Sequence, residues 1–186
     1  MPPLCWKGMR IDAHQQFLKN YLPDHVERIL RRNRFDGLIA VQAAQSAGET
    51  RRLLALAARY PLIGGVSGGR DLTVLADVQR QAKFKGIWQE AAAATVDGLR
   101  ELARRGLVCE LVAGPDQLDR VRRAAEAVPD LRIVIPHMGK PRMAEGVFAG
   151  WAQEMERIAA ECPRVTVKLS GLLPPGMPAL RPYLQH

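Results

Sequence analysis

Very little in this 186-residue sequence suits a disulfide framework, a membrane span or a base-stacking surface. Its three cysteines, Cys5, Cys109 and Cys162, are odd in number, far apart and without a CxxC pair. That excludes a disulfide-stapled scaffold and fits a reducing, cytoplasmic setting. No apolar run approaches the roughly 20 residues of a membrane helix. The opening stretch carries Lys7 and Arg10 but no apolar segment of the signal-peptide kind. Aromatic residues make up only 5%, and none is interleaved with the arginines as a nucleic-acid stacking platform requires. Carboxylates also run out toward the C-terminus: no Asp follows Asp130, and no Glu follows Glu161.

Positive charge is abundant instead. Lys and Arg total 27 against 19 Asp and Glu, a net charge of +8. Such a balance favours anionic partners in general. The clusters Arg31-Arg32-Arg34, Arg51-Arg52, Arg104-Arg105 and Arg122-Arg123 are, however, dispersed over segments that read as helical. A solvated outer helix face accounts for them better than a nucleic-acid stripe. Cys109 sits in an apolar run and reads as a small core residue.

Short runs of Val, Ile and Leu alternate with longer amphipathic stretches. Strands are expected at 9–14, 37–42, 62–67, 84–89, 107–113, 131–137 and 165–170. Helices are expected at 49–60, 72–81, 95–105, 117–128 and 148–162, with Gly106, Pro61, Pro129 and Pro163 as stops. Repeated strand–helix units imply parallel strands with right-handed crossovers. The expectation is a single domain over 1–186 with about seven such units. Periodicity leaves a (β/α)8 barrel and a doubly wound sheet both open.

Three segments could carry chemistry. In Ile11-Asp12-Ala13-His14-Gln15-Gln16, strand alternation puts His14 and Gln16 on one face. Two imidazoles there would make half a metal site, but the second position is an amide, and by spacing alone His14 reads as structural. In Ile133-Val134-Ile135-Pro136-His137-Met138-Gly139-Lys140-Pro141, an apolar strand ends in a histidine followed by a glycine turn and a lysine. His25 belongs to a polar helix start and His186 is the last residue, so His14 and His137 are the pair able to converge. In Val165-Thr166-Val167-Lys168-Leu169-Ser170-Gly171, burying Lys168 is costly unless it is paired or reaches the rim. Holding an anionic substrate group is its equal alternative.

The segments IDAHQQF, VQAAQSAGETRRLLALA, FKGI, GLVCELVAGPDQL, PDLRIVIPHMGKP and VTVKLSGL, in this order, resemble the amidohydrolase-related lactone hydrolases. L-fuconolactonases and 2-pyrone-4,6-dicarboxylate lactonases are members of that group. The likeness runs from about Arg10 to Tyr183. It implies a (β/α)8 TIM-type barrel and the hydrolytic opening of a cyclic ester, a sugar lactone or a pyrone dicarboxylate. Strand-end histidines would polarise the carbonyl, alone or through a divalent ion such as Zn2+. Carried over by position, His14 and His137 are the catalytic and metal-facing residues. Gln16, Lys140, Lys168 and Ser170 then face the substrate.

The sequence also departs from the pattern. Gln16 replaces the second histidine of the first strand, and Pro136 replaces the Asp before the later one. Trp88 and Gln89 replace an Arg-His pair. The chain ends at His186, so the expectation is an incomplete barrel without the eighth strand and its catalytic Asp. Weak or absent zinc binding and weak or absent activity follow as expectations. So does an open edge that invites a second copy or a completing chain. One half of a split enzyme and a non-catalytic basic binding module are the alternative readings.

Overall fold

A computed structural model describes residues 8–18, 20–44, 46–69, 77–78, 80–145 and 148–171. They fall into two compact units, Met1–Lys85 and Gly86–His186.

The first unit runs β1 (Ile11–Gln15), α1 (Pro23–Arg32), β2 (Gly37–Val41), α2 (Ala47–Arg59) and β3 (Ile63–Gly68). β2 pairs in parallel with both β1 and β3. Both faces of β2 and β3 lie almost wholly inside, which is why GLIAV and IGGVSG show no polar alternation. Helix α1 begins where Pro23 needs no hydrogen-bond partner for a backbone N–H, and the imidazole Nδ1 of His25 accepts the Leu22 N–H at 3.0 Å. His25 is thus a helix cap. Ser46 caps α2 by accepting the Glu49 N–H at 3.2 Å. Thr50, Leu53, Leu54 and Ala57 then form the buried stripe of that helix. The buried amide of Gln42 joins β2 to α2. It accepts from Gly69 N–H at 2.9 Å and from the Thr50 hydroxyl, and it donates to the Ser46 carbonyl at 3.0 Å. Still within this unit, Val66 N–H donates to the Lys83 carbonyl at 2.7 Å, so the chain leading into the next strand lies beside β3.

β4 (Phe84–Glu90) runs on into the second unit, followed by α3 (Val96–Arg104), β5 (Val108–Val112), α4 (Leu118–Ala127), β6 (Arg132–Ile135), α5 (Ala149–Glu161) and β7 (Val165–Val167). Every pairing here is parallel and between chain neighbours. Leu99, Leu102, Cys109, Leu111, Leu118, Val121, Ile133, Ile135 and Ile158 form its core. Burial pushes the Cys109 thiol up to about 12, as befits an inert core residue. β4 and β5 approach so closely at Gly86 that any Cβ there would be driven into the Val108 carbonyl oxygen.

All seven expected strands are present. Two of them end early by more than one residue: β6 stops at Ile135 and β7 at Val167, where 137 and 170 were expected. Pro136 brings no N–H to the ladder, and the backbone beyond it turns left-handed. The helix expected at 72–81 and Cys5 lie largely or wholly outside the described residues. The arginine clusters are answered locally: Arg31 pairs with Glu27, Arg104 and Arg105 with Glu101, Arg122 with Glu126, and Arg123 with Asp119. Exposed i,i+3 and i,i+4 pairs of this kind contribute little stability. They do match the outer-face reading. Among the described residues, no helix is long and apolar enough to cross a membrane.

Replacing Gly86 with Ala forces β4 and β5 apart and should destabilise the fold by about 1–3 kcal/mol, the usual cost of overpacking. Urea denaturation followed by circular dichroism measures this directly; an unchanged midpoint would contradict the close approach.

Candidate functional site

The sequence-predicted residues fall into two groups, one in each unit. In the first unit, His14 is the half-buried penultimate residue of β1, and Gln16 follows the strand, exposed. The ladder between β1 and β2 is irregular from Asp12 to Gln15, and the Asp12 carboxylate accepts the His14 N–H at 3.0 Å. The simple alternation that would aim His14 and Gln16 alike is interrupted there. What fixes this segment is Phe17, whose ring is buried and whose carbonyl accepts from the Arg52 guanidinium. Arg52 is in turn clamped by both carboxylate oxygens of Glu49 at 2.8 Å.

In the second unit, β6 ends in a left-handed turn. His137, Met138, Gly139 and Lys140 have φ of +56°, +55°, +70° and +46° in succession. Three of the four carry a Cβ, and each such residue costs about 1–2 kcal/mol in this conformation. The surrounding structure compensates at several points. Met138 N–H donates to the Lys168 carbonyl at 3.1 Å, and Lys168 N–H donates to the Ile135 carbonyl at 2.9 Å. His137 N–H donates to the Ser170 hydroxyl at 3.2 Å. The buried Trp151 indole donates to the Met138 carbonyl at 2.7 Å, and the Met138 side chain is itself buried.

The same hydroxyl of Ser170 lies 2.9 Å from Nδ1 of the His137 ring. A hydroxyl can accept that backbone N–H and at the same time donate its one proton to Nδ1, and we assign it so. That assignment leaves the ring proton on Nε2. Gly171 follows with φ +67°, and a Cβ there would press within 2.8 Å of Nδ1, so only glycine leaves the ring its place.

Beneath this turn lies an ion pair that sequence reasoning missed. The Lys168 ammonium binds the Glu110 carboxylate of β5 at 2.7 Å, with side-chain exposures of only 10% and 5%. The Lys168 question is thereby answered in part: the side chain is buried and paired. Glu110 had a signal of the same kind, a lone charge inside the apolar run VCELV, which requires a buried partner. Burial first, and then the ammonium groups of Lys140 and Lys168, hold the His137 imidazole below its ordinary value of 6.5; Glu110 and Ser170 oppose this. His137 is therefore neutral at pH 7. The structure brings His137, Lys140, Lys168 and Ser170 together in one unit, with Lys140 exposed at the end of the turn. Trp88 and Gln89 lie on β4, with Trp88 in register with Glu110.

The sequence profile of the amidohydrolase family matches residues 26–186. The L-fucono-1,5-lactonases of Burkholderia ambifaria and Burkholderia multivorans are each 28% identical to this chain. The matches cover 88% and 89% of it and 68% and 69% of the lactonases. Among solved structures, an amidohydrolase from Burkholderia multivorans with bound Hepes superposes with a TM-score of 0.85 at 26% identity, covering 95% of this chain and 77% of that one. An amidohydrolase of the same organism with bound zinc gives 0.84 at 25%, with the same coverage. A probable 2-pyrone-4,6-dicarboxylic acid hydrolase from Acinetobacter baumannii reaches 0.69 at 14% identity over 88% of this chain and 70% of its own, a likeness of fold alone. The amidohydrolase neighbours are (β/α)8 barrels. The described residues supply seven parallel strands of that fold, and the doubly wound alternative is set aside.

Zinc fits poorly among the side chains described. Gln16 is an amide, a weak ligand beside imidazole. The Glu110 carboxylate is taken by an ammonium, Nδ1 of His137 by Ser170, and two lysines oppose any cation at that ring. Among the described residues, no three His, Cys, Asp or Glu side chains come together as a ligand group.

The His137 shift has a signed consequence for stability. Its folded value lies below the unfolded one, so the unfolded chain takes up the proton first as pH falls. The contribution is complete above pH 6.5 and is lost as pH drops below it toward the folded value. Urea midpoints measured from pH 7.5 to 5 should fall more steeply for the wild type than for His137→Gln. Parallel curves would contradict the neutral, part-buried imidazole.

Proposed function

The chain belongs to the amidohydrolase family, and on that premise we propose that it is a lactone hydrolase of the sugar-lactone type with low turnover. The observation that carries this reading is the neutral His137, set by Ser170 on a strained turn that ends in the exposed Lys140. Strain held at a strand end by several converging contacts is characteristic of functional sites. The higher identity to the L-fucono-1,5-lactonases than to the pyrone dicarboxylate hydrolase supports a sugar lactone over a pyrone.

Lactone hydrolysis needs three things. The carbonyl must be polarised, water must be deprotonated as it attacks, and the ring oxygen must receive a proton as its bond to carbon breaks. With Nδ1 turned to Ser170, His137 presents Nε2–H as the donor to the carbonyl oxygen, where negative charge develops. A neutral imidazole keeps this N–H and can serve as an uncharged electrophile toward the carbonyl oxygen. Lys140 supplies positive charge for a substrate carboxylate or hydroxyl. For His14 and Gln16, in the first unit, the family resemblance alone carries the assignment, the imidazole as a polarising group and the amide as a substrate-facing one. Ser170 acts on the ring of His137, and the backbone of Lys168 acts on the turn.

Water activation is the weak step: the attacking water gives up its proton to solvent, and the ring oxygen takes one from solvent as its bond to carbon breaks. The carboxylate that bears on His137, Glu110, is committed to Lys168 and is a poor base. Losing a general base costs about 10²–10⁴-fold in rate. The reading is therefore a lactonase that polarises well and deprotonates poorly.

Hydrolysis of L-fucono-1,5-lactone and related sugar lactones by the purified chain, followed by acid release, should exceed the uncatalysed rate only slightly. His137→Ala should abolish that excess. Turnover unaffected by His137→Ala would refute the assignment. Added zinc should leave both the rate and the melting temperature unchanged; a rise in melting temperature that is lost in His137→Ala would show that the ring holds metal after all.

A further inference from the structure

Glu110 takes no part in the chemistry assigned above, yet it is the most deeply buried carboxylate among the described residues, 4% exposed on a strand whose other members are apolar. Its partner Lys168 sits 58 residues away, beyond the end of β7. Lys168 is also the residue whose backbone grips the turn, through its carbonyl to Met138 N–H and its N–H to the Ile135 carbonyl. Two residues later comes Ser170, which holds the His137 ring and backbone together. The β-ladder reaches no further than the Lys168 backbone, because β7 pairs only as far as Val167 and Lys168 N–H makes the next bond to the Ile135 carbonyl. Leu169 projects into solvent, 69% exposed, and adds no packing. The Lys168 side chain thus adds a tie to β5 for a segment that backbone bonds hold to β6 and to the turn.

We propose that Glu110 is a positioning residue for His137: by binding Lys168 it ties segment 168–170 to β5, and through that segment it keeps Ser170 on the imidazole and the left-handed turn in place. Loss of the pair frees Lys168 from β5 and loosens the Ser170 hydroxyl from Nδ1, so the ring registers the change as well as the fold.

Calling the role positioning rests on the reading of His137 as the reacting group. The test requires no substrate, so failure of the lactone assay and failure of this test are distinguishable. In the full chain, Glu110→Gln and Lys168→Met are compared with wild type by amide hydrogen exchange and by the ring-nitrogen magnetic resonance signals of His137 at one fixed alkaline pH, which report its tautomer. Both variants should speed exchange at Met138 by about tenfold or more, since a broken buried pair lowers the cost of local opening. Both should also mix the two ring tautomers, because Ser170 no longer holds Nδ1. Unchanged exchange at Met138, or an unchanged Nε2–H signature, overturns the proposal. Should either single variant fail to fold, the double variant Glu110→Gln with Lys168→Met removes both charges together. It should still lose protection at Met138 and the Nε2–H signature of the ring; retention of both overturns the proposal equally.

Discussion

A left-handed turn of three non-glycine residues and one glycine is the constraint on which the second unit's candidate chemistry depends. Left to itself, such a stretch would relax to an ordinary right-handed or extended form, since each side chain in it is strained. It persists because hydrogen bonds reach it from elsewhere in the unit. Lys168 and Ser170 supply them from beyond β7, and Trp151 from α5. The strain is therefore supported by the tertiary structure, and the geometry of His137 is a property of the whole unit rather than of the segment PHMGK.

The electrostatics follow from the same arrangement. A buried ammonium–carboxylate pair contributes little net stability, because desolvation offsets most of the attraction. Its worth here lies in geometry, since it ties to β5 a segment that begins where the ladder ends. It also places one positive and one negative group near an imidazole that is already half-buried. The ring stays neutral, and with Nδ1 turned to Ser170 its proton is assigned to Nε2. This arrangement suits polarisation. It suits cation binding poorly, because two ammonium groups bear on the ring and Ser170 engages its Nδ1.

The first unit shows a plainer logic. Arg52, clamped by Glu49, holds the Phe17 carbonyl, and the buried Phe17 ring fixes the chain just after Gln16. Gln42 is fully occupied in joining β2 to α2. These polar groups are satisfied locally and account for the shape of the loops. His25, which looked like a helix-start residue, is a cap of α1.

Hydrophobic periodicity and turn chemistry were enough to read seven parallel strands and most of the helices, because burial on both faces leaves uninterrupted apolar runs such as GLIAV. Strand-end histidines and the lysine of VTVKLSG were legible for a related reason: a polar residue closing an apolar strand stands out against its neighbours. Glu110 carried the same mark, but its meaning depended on a partner 58 residues away. Nor could local propensity foretell the left-handed run at 137–140, since its backbone angles are disfavoured for the residues themselves and arise from hydrogen bonds made by segment 168–170. Sequence alone determined which residues form the repeating strand–helix units and which side chains stand at strand ends. Only the tertiary structure decided how those ends are bent, paired and charged, because the groups responsible lie far apart along the chain and meet only once the strands have aligned.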